Sequence, residues 1–360
     1  MAGTYLVAYG PSSGTGPASV LTFFDEWQLT KNLDDGCTFS FSCPGDSLPG
    51  VEISELATDI WLYLDGVLIE RFRVLEVTQD WTYDGNNQIA VACCCYRRLL
   101  ASRYVNSALS YTGLSQGLIV ASLISHTQSQ VNGNLGIVLG SAGPVVPRDR
   151  SYEIGANILE SIVELSQIAQ GIVWRIDPFG ALIVTQIPTT YPAPNPQPVV
   201  LGANALSITK PSGSALFANV AIVTGDSVVT TPVVVPTAGL STDPRGRWEK
   251  FRGLPQEQTQ ANLTQQANGI VTESQSPQIV YTFSLEPIRY FLDSNYDLGE
   301  IVTVVQPGTV VPSTANPTIS ILTVPAVPVI SQIISQSISQ DSDGLVTVQM
   351  QAIALPESGG

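Results

Sequence analysis

The sequence predicts a mainly β chain with a few short helices. Three observations carry this. The 360 residues include 30 glycines and 25 prolines, the punctuation of many short strands joined by tight turns. Charged residues make up 12% and hydrophobic residues 44%, enough apolar material to bury real cores. The stretch 152–188 sets a short amphipathic helix before a β-hairpin, and a helix with one apolar face needs a sheet to bury it.

From the N-terminus, Thr4 to Tyr9 predicts a first strand. Ser19 to Thr30 predicts a second, interrupted at Asp25-Glu26 before Trp27. Cys37 to Cys43 (CTFSFSC) alternates strictly, with the strand period of two, and runs into the turn Pro44-Gly45-Asp46. Asp59 to Leu64 and Val67 to Val77 flank Asp65-Gly66, a two-residue hairpin signal. Gln88 to Cys95 follows Tyr83-Asp84-Gly85-Asn86 as a further strand. About six short strands in the first hundred residues is the spacing of a barrel or sandwich.

Leu114 to Gln128 predicts a helix carrying Leu118, Ala121, Leu123, Ile124 and His126, and Leu135 to Leu139 a strand. Arg148, Arg150 and Tyr152 lead into the central helix. There Ile154, Ile158, Ile162, Leu165 and Ala169 recur at steps of three and four on one face, and Gly171 is expected as the C-cap. Ile172, Trp174 and Ile176 then alternate with Val173, Arg175 and Asp177. Asp177-Pro178-Phe179-Gly180 is a tight turn, and Ala181 to Ile187 is the returning strand. Pro188 to Pro198 (PTTYPAPNPQP) reads as an extended connector.

Beyond it, Ala203 to Lys210, Ala215 to Gly225 and Ser227 to Val235 predict strands. Ser241 to Phe251 (STDPRGRWEKF) reads as a polar loop; with Arg252 it holds the basic cluster Arg245, Arg247, Lys250 and Arg252. Thr259 to Val271 predicts a helix with Ala261, Leu263, Ala267 and Ile270. Ile279 to Leu285 and Ile301 to Val305 predict strands. Val329 to Ile338 and Leu345 to Ile353 form a terminal hairpin joined by Asp341-Ser342-Asp343-Gly344, and Pro356 to Gly360 is expected to fray.

The chain carries a net charge of −15. This argues against wrapping nucleic acid, which needs Lys and Arg for its phosphates. The balance fits solubility alone, and equally a wall past which DNA slides without sticking. The five cysteines make no disulfide framework: Cys93, Cys94 and Cys95 are consecutive on a strand, so neighbours point to opposite faces. Cys37 and Cys43 lack a CxxC spacing. All five are expected to be small buried hydrophobes in a reducing cytoplasm. His126 is the single histidine, so no metal set is expected. No N-terminal signal is visible, and no apolar run is long enough to span a membrane.

Catalytic patterns fare no better. Glu160 and Glu164 lie one helical turn apart on the polar side of the central helix, where a solvated pair is expected rather than a glycosidase dyad. A Ser-His-Asp set would have to use His126, and no serine sits in GxSxG. No HExxH is present, and the loop Ser12-Ser13-Gly14-Thr15-Gly16 lacks the P-loop lysine. No catalytic residue, cofactor or metal is therefore expected. Trp27, Trp61, Trp81 and Trp174 fall in or beside strands and are expected in cores. Trp248 lies in the basic loop and is expected, with Arg245 and Arg247, at an interface.

The helix–hairpin pattern L-x-x-x-A-x-G-x-x-W-x-x-D-P-x-G, carried by Leu165, Ala169, Gly171, Trp174, Asp177, Pro178 and Gly180, resembles a stretch of the tail hub proteins of tailed bacteriophages, the minor tail or baseplate hub family. Further features are similar in the same order. They are Trp61-Leu62-Tyr63-Leu64-Asp65-Gly66, the exit Arg98-Leu99-Leu100-Ala101-Ser102-Arg103, the strand NVAIVTG from Asn219 to Gly225, and Tyr296-Asp297-Leu298-Gly299-Glu300. The triple cysteine departs from the family.

The resemblance implies two hub-type β-barrels with an inserted α+β region: an N-terminal barrel over 1–105, a helix–hairpin region over 106–198, and a second barrel region over 199–360. It also implies a virion protein of the tail tip or baseplate, made in the host cytoplasm. This would be a homotrimer whose ring joins a six-fold tail tube to a three-fold tip and surrounds the DNA channel. Its implied partners are tail tube and distal tail proteins, tip, spike or fibre proteins, and the tape measure protein. DNA would pass without specific binding. Edge strands and faces of low charge point the same way, because closed rings cover them. The alternative reading is a receptor- or carbohydrate-binding tail module.

Overall fold

A computed structural model gives the fold. It describes residues 4–12, 16–21, 24–33, 36–44, 53–81, 87–143, 146–166, 168, 171–186, 194, 196–210, 217–225, 231–242, 244, 246–254, 257, 259–274, 279–287, 296, 298–306, 310–312, 321–323 and 327–355. Gly45-Asp46, the turn 83–86, Ala169, Arg245, the centre of the 12–16 loop, most of the proline-rich connector and the C-terminal tail lie outside these residues.

The chain is mainly β, as expected, with short helices. In order run β1 (Tyr5–Pro11), β2 (Ser19–Val20), β3 (Asp25–Asn32), β4 (Gly36–Pro44), β5 (Thr58–Leu64), β6 (Val67–Trp81), β7 (Asn87–Cys95) and α1 (Tyr96–Leu99). Then come β8 (Leu109–Ser115), α2 (Gln116–Gln128), β9 (Val138–Ser141), β10 (Pro147–Tyr152), α3 (Ile158–Ser166), β11 (Ile172–Ile176) and β12 (Ala181–Gln186). The remainder comprises β13 (Val199–Val200), β14 (Ala205–Thr209), β15 (Val220–Thr224), β16 (Val233–Pro236), β17 (Glu249–Gly253), α4 (Gln260–Ser274), β18 (Val280–Leu285), β19 (Ile301–Gln306), β20 (Val310–Pro312), β21 (Ile321–Thr323), β22 (Val327–Gln340) and β23 (Val346–Ala354).

The contacts divide the chain into two units, and the division differs from the contiguous blocks 1–105, 106–198 and 199–360. The first unit is Met1–Cys95 with Thr190–Pro211 and Ile279–Gly360; the second is Tyr96–Thr189 with Ser212–Gln278. The cause lies in the pairing. β22 pairs with β3, so the C-terminal hairpin joins the same sheet as the N-terminal strands. The stretch 212–278 is tied instead to β10 by an ion pair between Arg150 and Glu257.

In the first unit, β14-β18-β23-β22-β3-β4-β7-β6-β5-β1-β2 form one sheet, with β19 on β22 and β13 on β19. Its core is continuous, from Val7, Trp27 and Phe39 through Phe283 to Met350. The hairpin turns fall where the sequence places them. Asp65 and Gly66 both take left-handed backbone, with φ of 50° and 81°, the geometry that matches strand twist in a two-residue turn. Asp341 closes the β22–β23 turn by accepting from Asp343 N–H at 3.0 Å and Leu345 N–H at 2.8 Å. All five cysteines are buried, and none is in a disulfide. The Cys37 amide donates to Cys95 Sγ at 2.9 Å; a thiol hydrogen bond with Cys95, then burial, hold the Cys37 thiol well above its ordinary range.

In the second unit the core gathers α2, α3 and the β11–β12 hairpin around Ile119, Leu123, Ile158, Ile162, Leu165, Trp174 and Val184. The Asp177 turn is as expected: Asp177 Oδ1 accepts from Phe179 N–H at 2.9 Å and Ala181 N–H at 2.7 Å.

Two readings of this region need correcting, the start of the central helix and the part played by Gly171. The helix starts at Ile158, capped by Asn157 Oδ1 on Glu160 N–H at 3.1 Å. Ile154 stands in a turn before it and is 70% exposed, because the Asn157 cap fixes the first helical residue. Gly171 is not a left-handed cap. It is required because a Cβ there would stand 2.1 Å from Ser166 O. In α2, Leu118 faces out, while Ile119 and Val120 are buried. Strand β10, paired with β8, carries Arg148, Arg150 and Tyr152 at alternate buried positions, a strand that four polar residues in six concealed.

Candidate interaction surfaces

Of the expected interface residues, Arg247 and Trp248 lead directly into β17 of a small three-stranded sheet, β16-β15-β17, and Arg245 lies outside the described residues. One face packs on α4: Ala221, Val223 and Val233 meet Leu263, Ala267, Ile270 and Val271. On the other face Val234, Ile222 and Phe251 share one cross-strand row. There Phe251 is 66% exposed and Val234 51%. This is an apolar, largely exposed row on the sheet face away from α4, where surfaces more often carry polar residues.

Trp248 stands at the head of β17 and is 48% exposed. Its backbone is held by buried Asn219. Asn219 Oδ1 accepts the Trp248 N–H at 2.7 Å, and the Trp248 carbonyl takes the amides of Asn219 and Val220 at 3.0 Å each. Asn219 Nδ2 also donates to Gly246 O at 2.6 Å. The indole meets Phe217 edge-on at 6.5 Å. A half-exposed Trp on a clamped backbone is held in position by the chain itself, so little ordering would be left to do on any contact.

Arg247 pairs with exposed Glu249 at 2.6 Å, a surface pair worth well under about 1 kcal/mol. The expected polar loop ends earlier than Phe251, because β17 begins at Glu249 and pairs in parallel with β15. The basic cluster is therefore split: Lys250 and Arg252 stand in register with Ala221 and Val223, on the α4 side of the sheet. The strand EKFRG has one apolar residue, so periodicity could not reveal it.

A second surface is legible only from the register of the large sheet. Ser207, Ser284, Gln349, Ser337, Thr30 and Thr38 form one cross-strand row. Thr209, Thr282, Gln351, Ser335 and Asn32 form the next, and Thr347, Ser339, Gln28 and Ser40 a third. All are at least partly exposed, and none carries a charge. The positions between them build the core: Leu285, Val348, Ile338, Leu29, Phe39 and Cys93 form one buried row. Over β14-β18-β23-β22-β3-β4 the result is a hydroxyl and amide face in a chain of net charge −15; beyond β4 the first and third rows run on through Cys94 to Arg73 and through Ala92 to Glu76.

Each unit also holds a buried charge cluster. In the first unit Asp59, fully buried, accepts from Arg71 Nη2 at 2.6 Å, Arg71 Nε at 2.9 Å and Arg73 Nε at 2.5 Å. Arg73 Nη1 also donates to Leu56 O at 3.2 Å, and Arg71 lies 5.0 Å over the Trp61 ring. In the second unit Arg150 pairs with Glu257, both fully buried. Glu164, expected on a solvated face beside Glu160, is instead half-buried and turned toward this cluster, whereas Glu160 is exposed.

His126 Nε2 accepts the Asn106 N–H at 3.3 Å. Among the described residues no group of three or more His, Cys, Asp or Glu is placed to hold a metal ion, and no helix is long and apolar enough to cross a membrane. Trp27, Trp61 and Trp174 are buried, as expected of core residues.

No protein-family model and no curated protein sequence matches the chain. Solved structures do. A tail protein from Neisseria meningitidis matches with TM-score 0.67 and 10% identity, over 97% of this chain and 96% of that one. A tail protein of prophage MuSo2 from Shewanella oneidensis matches with TM-score 0.64 and 12% identity, over 97% and 98%. An E. coli component of the type VI secretion system, described as structurally similar to the phage T4 tail proteins gp27 and gp5, matches with TM-score 0.51 and 8% identity, over 98% and 78%. At such identities the likeness is one of fold, and the chain has the fold of phage tail proteins.

Proposed function

We propose that this chain is a structural protein of a phage tail and that it works as a hub at the tail tip or baseplate. Three copies form a ring that joins the six-fold tube to the three-fold tip, and DNA passes through its centre. The observation that carries this reading beyond the fold is the uncharged hydroxyl and amide face that the large sheet presents over β14-β18-β23-β22-β3-β4. A conduit wall must neither bind phosphates through Lys and Arg nor repel them strongly. Rows of Ser, Thr and Gln meet that demand better than the acidic lining that net charge alone would suggest. Arg247 and Trp248, with Arg245 beside them, lie at contacts with other tail components. Those components are a neighbouring copy, tube or distal tail proteins, tip, spike or fibre proteins, or the tape measure protein. The role needs no catalytic group and no cofactor, and its place is the virion.

Light scattering with negative-stain imaging tests the ring. The purified chain is expected to be a trimer with a central hole, and Trp248→Ala to shift the mass toward monomer while leaving the fold intact. A monomer that binds cell-wall glycan through Trp248 would replace this reading with the carbohydrate-binding one. The wall is tested separately. Thr30, Ser337 and Gln349 share a row, so the ring carrying Lys at all three is expected to retain linear duplex DNA in preference to closed circles, which cannot thread a hole. Equal retention of both forms would place the row outside the conduit.

A further inference from the structure

We propose that the buried charge cluster of the second unit is a proton-operated latch, with Glu164 as its moving part. The cluster draws on four elements. Glu164 comes from α3; the charges that act on it are those of Arg150 of β10, Arg252 of β17 and Glu257 ahead of α4, and its own charge acts on Tyr152 of β10. Arg148 adjoins through Arg150 and Glu257 and holds Gln265 of α4 at 3.5 Å. Glu257 is well satisfied. Beyond Arg150, its Oε1 accepts from Asn262 Nδ2 at 3.0 Å, the Thr259 hydroxyl at 3.3 Å and the Thr259 N–H at 3.4 Å.

Glu164 is held differently. Its Oε1 is buried and accepts no hydrogen bond, and the Tyr152 hydroxyl and the Nε and Nη2 of Arg150 are likewise without partners. As a neutral acid the carboxyl can stay in this seat and offer its own O–H. As a carboxylate it keeps Oε1 buried with no hydrogen bond made to it, while the side chain as a whole is only partly buried and can turn toward water.

The protonation energetics agree with this geometry. Burial lifts the Glu164 pKa from 4.5 to about 7, with Arg150 and Arg252 opposing the rise. A carboxyl raised in the folded state contributes stability that is complete below its unfolded pKa and lost as the pH climbs through the folded one. The latch is therefore shut in mild acid and opens above neutrality, loosening the junction of α3 and β10 with α4. This holds whether or not the chain is a hub.

Hydrogen exchange of the full chain at about pH 5.5 and about pH 8, corrected for intrinsic rates, tests it. Amides of β10 and the first turns of α4 are expected to lose up to about thirtyfold in protection at the higher pH, because the opening equilibrium moves about tenfold for every pH unit climbed below the folded pKa and levels off above it. Glu164→Gln, neutral throughout, is expected to keep the acid-level protection at both. Glu160→Gln, on the exposed side of the same helix, is expected to behave as wild type. Equal protection of the wild type at the two pH values overturns the latch, as does a pH dependence that survives Glu164→Gln.

Discussion

Asp59→Ala is expected to lower the stability of the first unit by about 3 kcal/mol. Breaking a buried ion pair by removing one partner costs roughly 3–5 kcal/mol, because the other charge is left without compensation. The lower figure applies, since the Arg71 and Arg73 side chains remain 18% and 14% exposed and keep some water. The loss also reaches further than the pair. Arg73 holds Leu56 through its carbonyl, and the Leu56 amide donates to Val74 O at 2.8 Å. Leu56 itself takes a left-handed φ of 59°, a conformation that leucine keeps only when its surroundings impose it. Without Asp59 the turn over β5 and β6 loses that restraint. Urea unfolding followed by tryptophan fluorescence measures the loss, and Asp59→Asn, which keeps an acceptor in place, is expected to fall between mutant and wild type. A midpoint for Asp59→Ala equal to wild type would mean that the two arginines are held by solvent rather than by the carboxylate.

Arg150→Ala is expected to be the more damaging, at the upper end of the same range, about 5 kcal/mol. Both Arg150 and Glu257 are fully buried, so the orphaned carboxylate has no water to turn to. The pair also spans two stretches of sequence that have no strand pairing with each other among the described residues: β8–β10 form one sheet and β16-β15-β17 another. Removing it should detach the α4 stretch from β10 in hydrogen exchange before global unfolding. Replacing both partners together, Arg150→Met with Glu257→Leu, is expected to recover most of the loss, because an apolar pair carries no desolvation cost. If the double change is as unstable as the single one, the cluster holds the unit through its wider hydrogen bonds and not through this charge pair.

Much of this protein can be read along the chain. Hairpin turns depend on two to four neighbouring residues, so Asp65-Gly66, Asp177 to Gly180 and Asp341 to Gly344 are visible without a structure. Strands with strict alternation, such as Cys37 to Cys43, announce their buried face by period alone. The mainly β class follows from these local signals, and so does the exposed place of Trp248 in a polar stretch.

What the chain order conceals is everything set by pairing between distant segments. The contiguous second barrel over 199–360 does not stand as one unit, because β22 joins β3 and the 212–278 stretch joins β10. No local pattern encodes which edge a strand will meet. The uncharged face over β14-β18-β23-β22-β3-β4 is hidden for the same reason: Ser207, Ser284, Gln349, Ser337 and Thr30 become one row only through register across five strands. Glu164 reads as a solvated partner of Glu160 because spacing on a helix says which residues share a side, not what packs against it. Sequence determined the local geometry, where the forces act over a few residues. The tertiary structure decided which charges are buried together and which faces stay open, since burial is a property of neighbours that the chain brings from far away.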